Sequence, residues 1–139
     1  KSFLETSEKK ITIKSNKDIN KINISRTPEI IYGLRNFIGN AVKFSYKKVI
    51  VEIESNEKNI SVIIQDDGPG FPEDVIEIIG EPYIKSKSRK VNIKSGLGLG
   101  TFLGKTLLER QGANLTFYNN NFGAVVKIVW SVNKIVFNA

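Results

Sequence analysis

The chain has 139 residues, 40% hydrophobic and 25% charged, with a formal net charge of +7, the size and balance of one globular domain with its own core. It contains no cysteine and no histidine, which excludes disulfides, thiolate and zinc sites and a Ser-His-Asp triad. Its lysines are dispersed along the chain and not interleaved with aromatic residues, so the positive charge reads as solvated surface and no nucleic-acid partner is expected.

Residues 1–9 are polar and read as the end of a linker from an upstream domain, with the domain proper over 10–139. Ile11 and Ile13 alternate with polar residues and predict a strand over Lys10–Ser15; Ile22 and Ile24 repeat the signal weakly. Thr27-Pro28-Glu29 is a helix start, with a capping hydroxyl, a first-turn proline and an acid at the positive end. Ile30, Ile31, Leu34, Ile38, Ala41 and Val42 then recur at helical spacing to about Ser45. Lys48–Glu54 and Asn59–Gln65 predict a hairpin closed by Ser55-Asn56-Glu57-Lys58. A weakly helical stretch over Pro72–Ile79 is followed by a basic loop over 80–95 and a second amphipathic helix over Gly100–Arg110, stopped near Gly112. Asn114–Tyr118 and Ala124–Val132 predict a last hairpin. The expected fold is α+β: a mixed, mostly antiparallel sheet with helices on one face. Apolar runs all fall short of the ~20 residues that span a bilayer, and the first five residues carry no signal-peptide pattern, so the domain reads as soluble.

Three blocks carry the chemistry. In the first, Asn36, Asn40 and Lys43 fall four and three residues apart and share a helical face. Two amides and an amine on one face can cradle phosphate oxygens and a hydrated cation, although by itself such a face is ordinarily just the wet side of a helix. In the second, Asp66 precedes Asp67-Gly68-Pro69-Gly70. A carboxylate at a strand end can accept a hydrogen bond from an exocyclic amine such as that of adenine, and glycines let the backbone approach a planar ring. The same residues also make a good turn, and Asp67 is assigned to that turn or to the surface. In the third, Gly96, Gly98 and Gly100 alternate with Leu97 and Leu99 before a helix, whose free amides can bind phosphate. One decoy is Gly104-Lys105-Thr106, which resembles the end of a Walker A loop; Leu99 stands where that motif needs glycine, and Lys105 lies inside a helical pattern.

In this order, and over residues 10–132, the blocks resemble the N, G1 and G2 boxes of the ATP-binding catalytic domain of sensor histidine kinases. These belong to the superfamily of gyrase, Hsp90, histidine kinases and MutL. Glu81-Pro82-Tyr83 resembles the F box, and with the stretch Gly96–Ala113 it is most similar to the RegB/PrrB type. The resemblance implies a Bergerat-type two-layer sandwich with an ATP lid over about 80–95. It implies Asn40 as the Mg²⁺ ligand and catalytic with Asn36 and Lys43, which would support the metal shell and phosphates. Asp66 would bind the adenine amine, with Gly68 and Gly70 lining the base pocket. Gly96, Leu97, Gly98, Leu99 and Gly100 would wrap the phosphates of ATP, and Tyr83 and Lys85 would join from the lid. Thr101 departs from the leucine common after the third glycine, and the lid is short and basic.

Hydrolytic members of the superfamily have glutamate where Asn36 stands, and an amide is no general base. The γ-phosphoryl group is therefore expected to go to a protein acceptor. With no histidine in the chain, that acceptor would be a histidine on a separate dimerisation domain, and the isolated chain would be a monomer that does not phosphorylate itself on histidine. The resemblance further implies a response regulator as partner and a cytoplasmic position in a membrane-anchored protein. Two alternatives are a serine-protein kinase of the anti-sigma-factor type and a degenerate nucleotide-binding docking module.

Overall fold

The computed structural model describes residues 9–15, 27–79 and 99–131. Its elements are β1 (Lys10–Ser15), α1 (Pro28–Phe44), β2 (Lys48–Ser55), β3 (Asn59–Asp66), α2 (Glu73–Ile79), α3 (Leu99–Arg110), β4 (Asn114–Asn119) and β5 (Ala124–Ser131). The five strands form one sheet in the order β1-β2-β3-β5-β4, with β1 parallel to β2 and the other pairs antiparallel. This is the mixed, mostly antiparallel sheet expected, and β3 is its central strand. The weak strand signal at Ile22 and Ile24 and the end of the last hairpin at Val132 lie outside the described residues.

Side-chain alternation sets the layers. Along β3, Ile60, Val62 and Ile64 are buried, while Ser61, Ile63 and Gln65 between them are only half-buried. Pairing continues each buried position across the sheet: Ile64 faces Val51 and Val126, and Val62 faces Ile53 and Ile128. Ile30, Phe37, Ala41 and Val42 of α1 close over this face and form one core with it. Helix α3 packs against α1 and β4.

Local chemistry explains the element ends. The Thr27 hydroxyl accepts a hydrogen bond from Ile30 N at 3.2 Å, with Pro28 in the first turn. At the other end of α1, Ser45 N donates to Ala41 O and the Lys9 amine donates to Val42 O at 2.6 Å. Asn56 Oδ1 accepts from Lys58 N and Asn59 N, both at 2.8 Å, closing the β2–β3 turn within three residues. That tight closure lets Ser55 pair with Ile60, so β2 runs one residue beyond its expected end, and β3 likewise runs through Asp66. Gly112 stops α3 at φ +93°, with Ala113 N donating to Leu108 O and Gly112 N to Glu109 O.

Two contacts hold α1 in place. The first is Gly33, buried against α3: a Cβ there would stand 2.5 Å from Leu108 Cγ. The second is Asp67, whose Oδ1 accepts from Tyr46 N at 2.8 Å, Lys47 N at 3.0 Å and Lys48 N at 3.2 Å. Burial opposes its ionisation, but the amide bonds from Lys47, Lys48 and Tyr46 outweigh this and hold the carboxyl below its ordinary value. Asp67 therefore does more than terminate a turn: it fastens the α1–β2 connection to the end of β3.

Two outcomes follow for stability. Alanine at Gly33 gains about 1 kcal/mol of helix propensity but overpacks Leu108 at a cost of about 1–3 kcal/mol; with three Leu108 carbons within 2.9 Å, the clash wins and G33A lowers the denaturant midpoint. Asp67→Ala lowers stability at neutral pH by about 1–2 kcal/mol. Because its folded pKa is depressed, this contribution is present above the unfolded carboxylate pKa and is lost as pH falls through the folded value. Wild-type and D67A unfolding curves therefore converge on acidification.

Candidate functional site

The alternation that buries Ile60, Val62 and Ile64 reaches its next position at Asp66, which is only 4% exposed. A carboxylate is thus carried into the core-facing layer at the end of the central strand. It accepts a hydrogen bond from Gly68 N at 2.8 Å and another from the Ala124 backbone. Burial pushes the carboxyl above its ordinary value, the Gly68 and Ala124 amides pull it back, the charge of Asp67 adds to the rise and that of Lys9 opposes it. Two amide donors do not exhaust a carboxylate's acceptor positions, so Asp66 can take a further donor.

Asp66 lines a pocket between α1 and the sheet, walled by Phe37, Ala41, Phe44, Ile64, Phe71 and Phe117 among others. Phe117 meets Phe37 at 5.7 Å and Phe71 at 6.1 Å between ring centroids, an aromatic wall beneath α1. Asp66 is the one ionisable side chain among the described residues that line it, and Asn40 and Thr101 add an amide and a hydroxyl. Such a pocket suits a flat apolar ring that carries one hydrogen-bond donor.

Backbone closeness requires glycine at specific points. A Cβ at Gly68 would lie 2.2 Å from Phe44 O, and one at Gly123 would lie 2.1 Å from Asp66 O. Gly70 lines the pocket at φ +88°. The loop is held by Asn119, whose Oδ1 accepts from Phe71 N at 2.8 Å and whose Nδ2 donates to Phe71 O at 2.9 Å.

The three residues of the first block share a helix face but separate by depth. Asn40 lines the pocket, and its Nδ2 donates to Thr101 Oγ1 at 2.9 Å and lies 3.4 Å from Asn36 Oδ1. Asn36 is half-buried one turn back, beneath Gly104 of α3. Lys43 is exposed, with its Nζ 5.5 Å from the Phe44 ring centroid. This face is therefore no plain wet side: its two amides lie half-buried, Asn36 beneath α3 and Asn40 bonded to it. Lys105, the decoy lysine, sits mid-helix in α3 and pairs with Glu109 at 2.8 Å. Leu99 and Gly100 open α3. Tyr83, Lys85, Gly96, Leu97, Gly98 and the expected lid over 80–95 lie outside the described residues.

Thr101, Gly123 and Asn119 belong to the site although sequence reading did not place them there. Thr101 had one signal, its departure from a leucine pattern. Asn119 and Gly123 stood inside a loop rich in turn residues, where nothing local tells a site residue from a turn former.

Residues 26–134 match the family described as histidine kinase-, DNA gyrase B-, and HSP90-like ATPase. The chain is 40% identical over 131 residues to the sensor histidine kinase RegB of Cereibacter sphaeroides, covering 81% of this chain and 28% of that protein. In fold it is similar to the catalytic domain of the histidine kinase ThkA, with a TM-score of 0.75 at 19% identity over 94% of this chain and 84% of that one. It is also similar to ThkA in complex with the response regulator TrrA, with a TM-score of 0.69 at 18% identity over 95% of this chain and 36% of that chain. The buried carboxylate, the amide-bearing helix and the two-layer sheet thus occur in a chain that belongs to the histidine kinase-, DNA gyrase B- and HSP90-like ATPase family, with its fold and its ATP-binding domain.

Proposed function

We propose that this chain is the ATP-binding catalytic domain of a two-component sensor histidine kinase, acting on a histidine of a separate dimerisation domain and, through it, on a response regulator. The observation that carries the reading is the convergence of buried Asp66 and the Asn40 amide on one apolar pocket. The likeness to RegB, of which the chain spans 28% of the length, supports it.

The residues fit ATP and Mg²⁺. Asp66 would accept the adenine amine while Phe37, Phe44, Phe71 and Phe117 enclose the ring and keep water from it. At the Asn40 end, an uncharged amide oxygen is the sparse kind of protein ligand that suits Mg²⁺, a cation that keeps several waters and takes phosphate oxygens. Among the described residues no cluster of three acidic side chains offers a competing metal cage. Bound ATP·Mg²⁺ would supply the γ-phosphoryl group with its charge partly neutralised. Lys43, exposed at the end of α1, would reach phosphate by swinging from the Phe44 ring. Asn36 can donate or accept a hydrogen bond but cannot take a proton from water, so the domain positions nucleotide without activating water from that residue. The lid over 80–95, the glycines at 96 and 98, and the membrane anchor of the whole protein belong to the same proposal. Among the described residues no helix is long and apolar enough to cross a membrane.

Two measurements test it. ATP or ADP with Mg²⁺ at ~100 times its dissociation constant adds about 2.7 kcal/mol to stability, raising the unfolding midpoint. Asp66→Asn abolishes that rise without lowering the midpoint of the free protein, because an ionised Asp66 is a burial cost in the empty pocket. With its folded pKa raised, the carboxylate takes up a proton as pH falls through that value, so nucleotide affinity declines there while the ligand-free fold gains stability. A pH-independent affinity would remove Asp66 from the base site. In the second measurement, the chain with ATP·Mg²⁺ phosphorylates the separately supplied dimerisation domain, and the product is labile to acid and stable to base, while the chain alone stays unlabelled. Acid-stable label on a serine substrate would point to the serine-kinase alternative.

A further inference from the structure

Helices α1 and α3 run past each other through three successive contacts: Gly33 against Leu108, Asn36 beneath Gly104, and Asn40 bonded to Thr101. At Gly33 the approach leaves no room for a Cβ, while at Gly104 a Cβ would make ordinary contact with Asn36 at 3.4 Å. The third is polar and specific. Thr101 is 3% exposed, in the first turn of α3, and lines the pocket together with Asn40.

The Asn40 amide has one acceptor atom and one donor atom, and only the acceptor can ligate a cation. Its Nδ2 faces two oxygens, Thr101 Oγ1 at 2.9 Å and Asn36 Oδ1 at 3.4 Å. The Asn36 carbonyl oxygen only accepts and the Thr101 hydroxyl can accept, so nitrogen on that side satisfies both contacts, the shorter of them to Thr101. Among the described residues Asn40 Oδ1 takes no hydrogen bond. A leucine at 101 could neither accept from Asn40 nor fix which atom of its amide faces the pocket. We propose that Thr101 is a positioning residue for the metal ligand: its buried hydroxyl consumes the Asn40 donor, leaving Asn40 Oδ1 for Mg²⁺. This rests on the ATP·Mg²⁺ reading of the pocket. It also ties the orientation of that ligand to the seating of the helix turn that the third glycine opens.

Calorimetric titration of ADP, with Mg²⁺ and with chelator, separates the roles in wild type, Thr101→Val, Thr101→Ser and Asn40→Ala. Valine keeps the shape and removes the hydroxyl. Loss of a group that orients a metal ligand costs about 10-fold or more in metal affinity, so T101V loses about that factor in the Mg²⁺-dependent part of ADP affinity and keeps its Mg²⁺-free affinity, while T101S restores wild-type behaviour. In the ligand-free proteins, the side-chain NH₂ resonances of Asn40 move in T101V and return in T101S. An equal loss with and without Mg²⁺, or unmoved Asn40 resonances, would overturn the positioning role. Mg²⁺ dependence lost in N40A but intact in T101V overturns this proposal alone; wild type that binds no ADP, or binds it without regard to Mg²⁺, overturns the site reading as well.

Discussion

The structure turns on a carboxylate placed where strand parity calls for an apolar side chain. Asp66 ends the central strand on the face that buries Ile60, Val62 and Ile64. A charge in that layer is costly unless it is hydrogen-bonded, and here the amides of Gly68 and Ala124 supply part of the compensation. Their approach demands the absence of side chains at Gly68 and Gly123, whose Cβ atoms would strike the backbone of Phe44 and of Asp66. The buried charge thus goes with two glycines, a turn on each side of it and a pocket between α1 and the sheet.

The α1–α3 seam shows how one helix pair serves both core and site. Toward the start of α1 the contact is apolar and tight, Gly33 receiving Leu108; toward its end the contact becomes polar, Asn40 meeting Thr101. The helices pass each other closely at Gly33, where a Cβ would strike Leu108, and along the same seam the first turn of α3 comes within hydrogen-bond reach of the amide. The packing that stabilises the fold and the geometry that orients the amide are therefore one arrangement. Asp67 secures the other side, tying three backbone amides after α1 to the end of β3.

Much of this was legible along the chain because it depends on local periodicity. Helix α1 announces itself by Thr27, Pro28 and a helical repeat of apolar residues, and the strands by alternation. Asp66 was legible as a strand-end acid before two glycines. What was not legible were partners distant in sequence. Asn119 grips Phe71 across 48 residues, and Asn40 meets Thr101 across 61. In one dimension Asn119 is one of three consecutive asparagines and Thr101 only an exception to a pattern. Asp67 looked like turn chemistry because its amide partners belong to a different connection.

The chain by itself determined the inventory: a helix with amides at four-residue spacing, an acid closing a buried strand, and no histidine to receive phosphate within the domain. These follow from residue identity and from the two short periods of secondary structure. Only the tertiary structure decided that Asp66 is buried, that the amides face α3 and the pocket, and which atom of Asn40 bonds Thr101. Those properties depend on sheet order and on helices that meet side by side. Desolvation and hydrogen-bond geometry exist only once distant segments come together, so no stretch of sequence contains them.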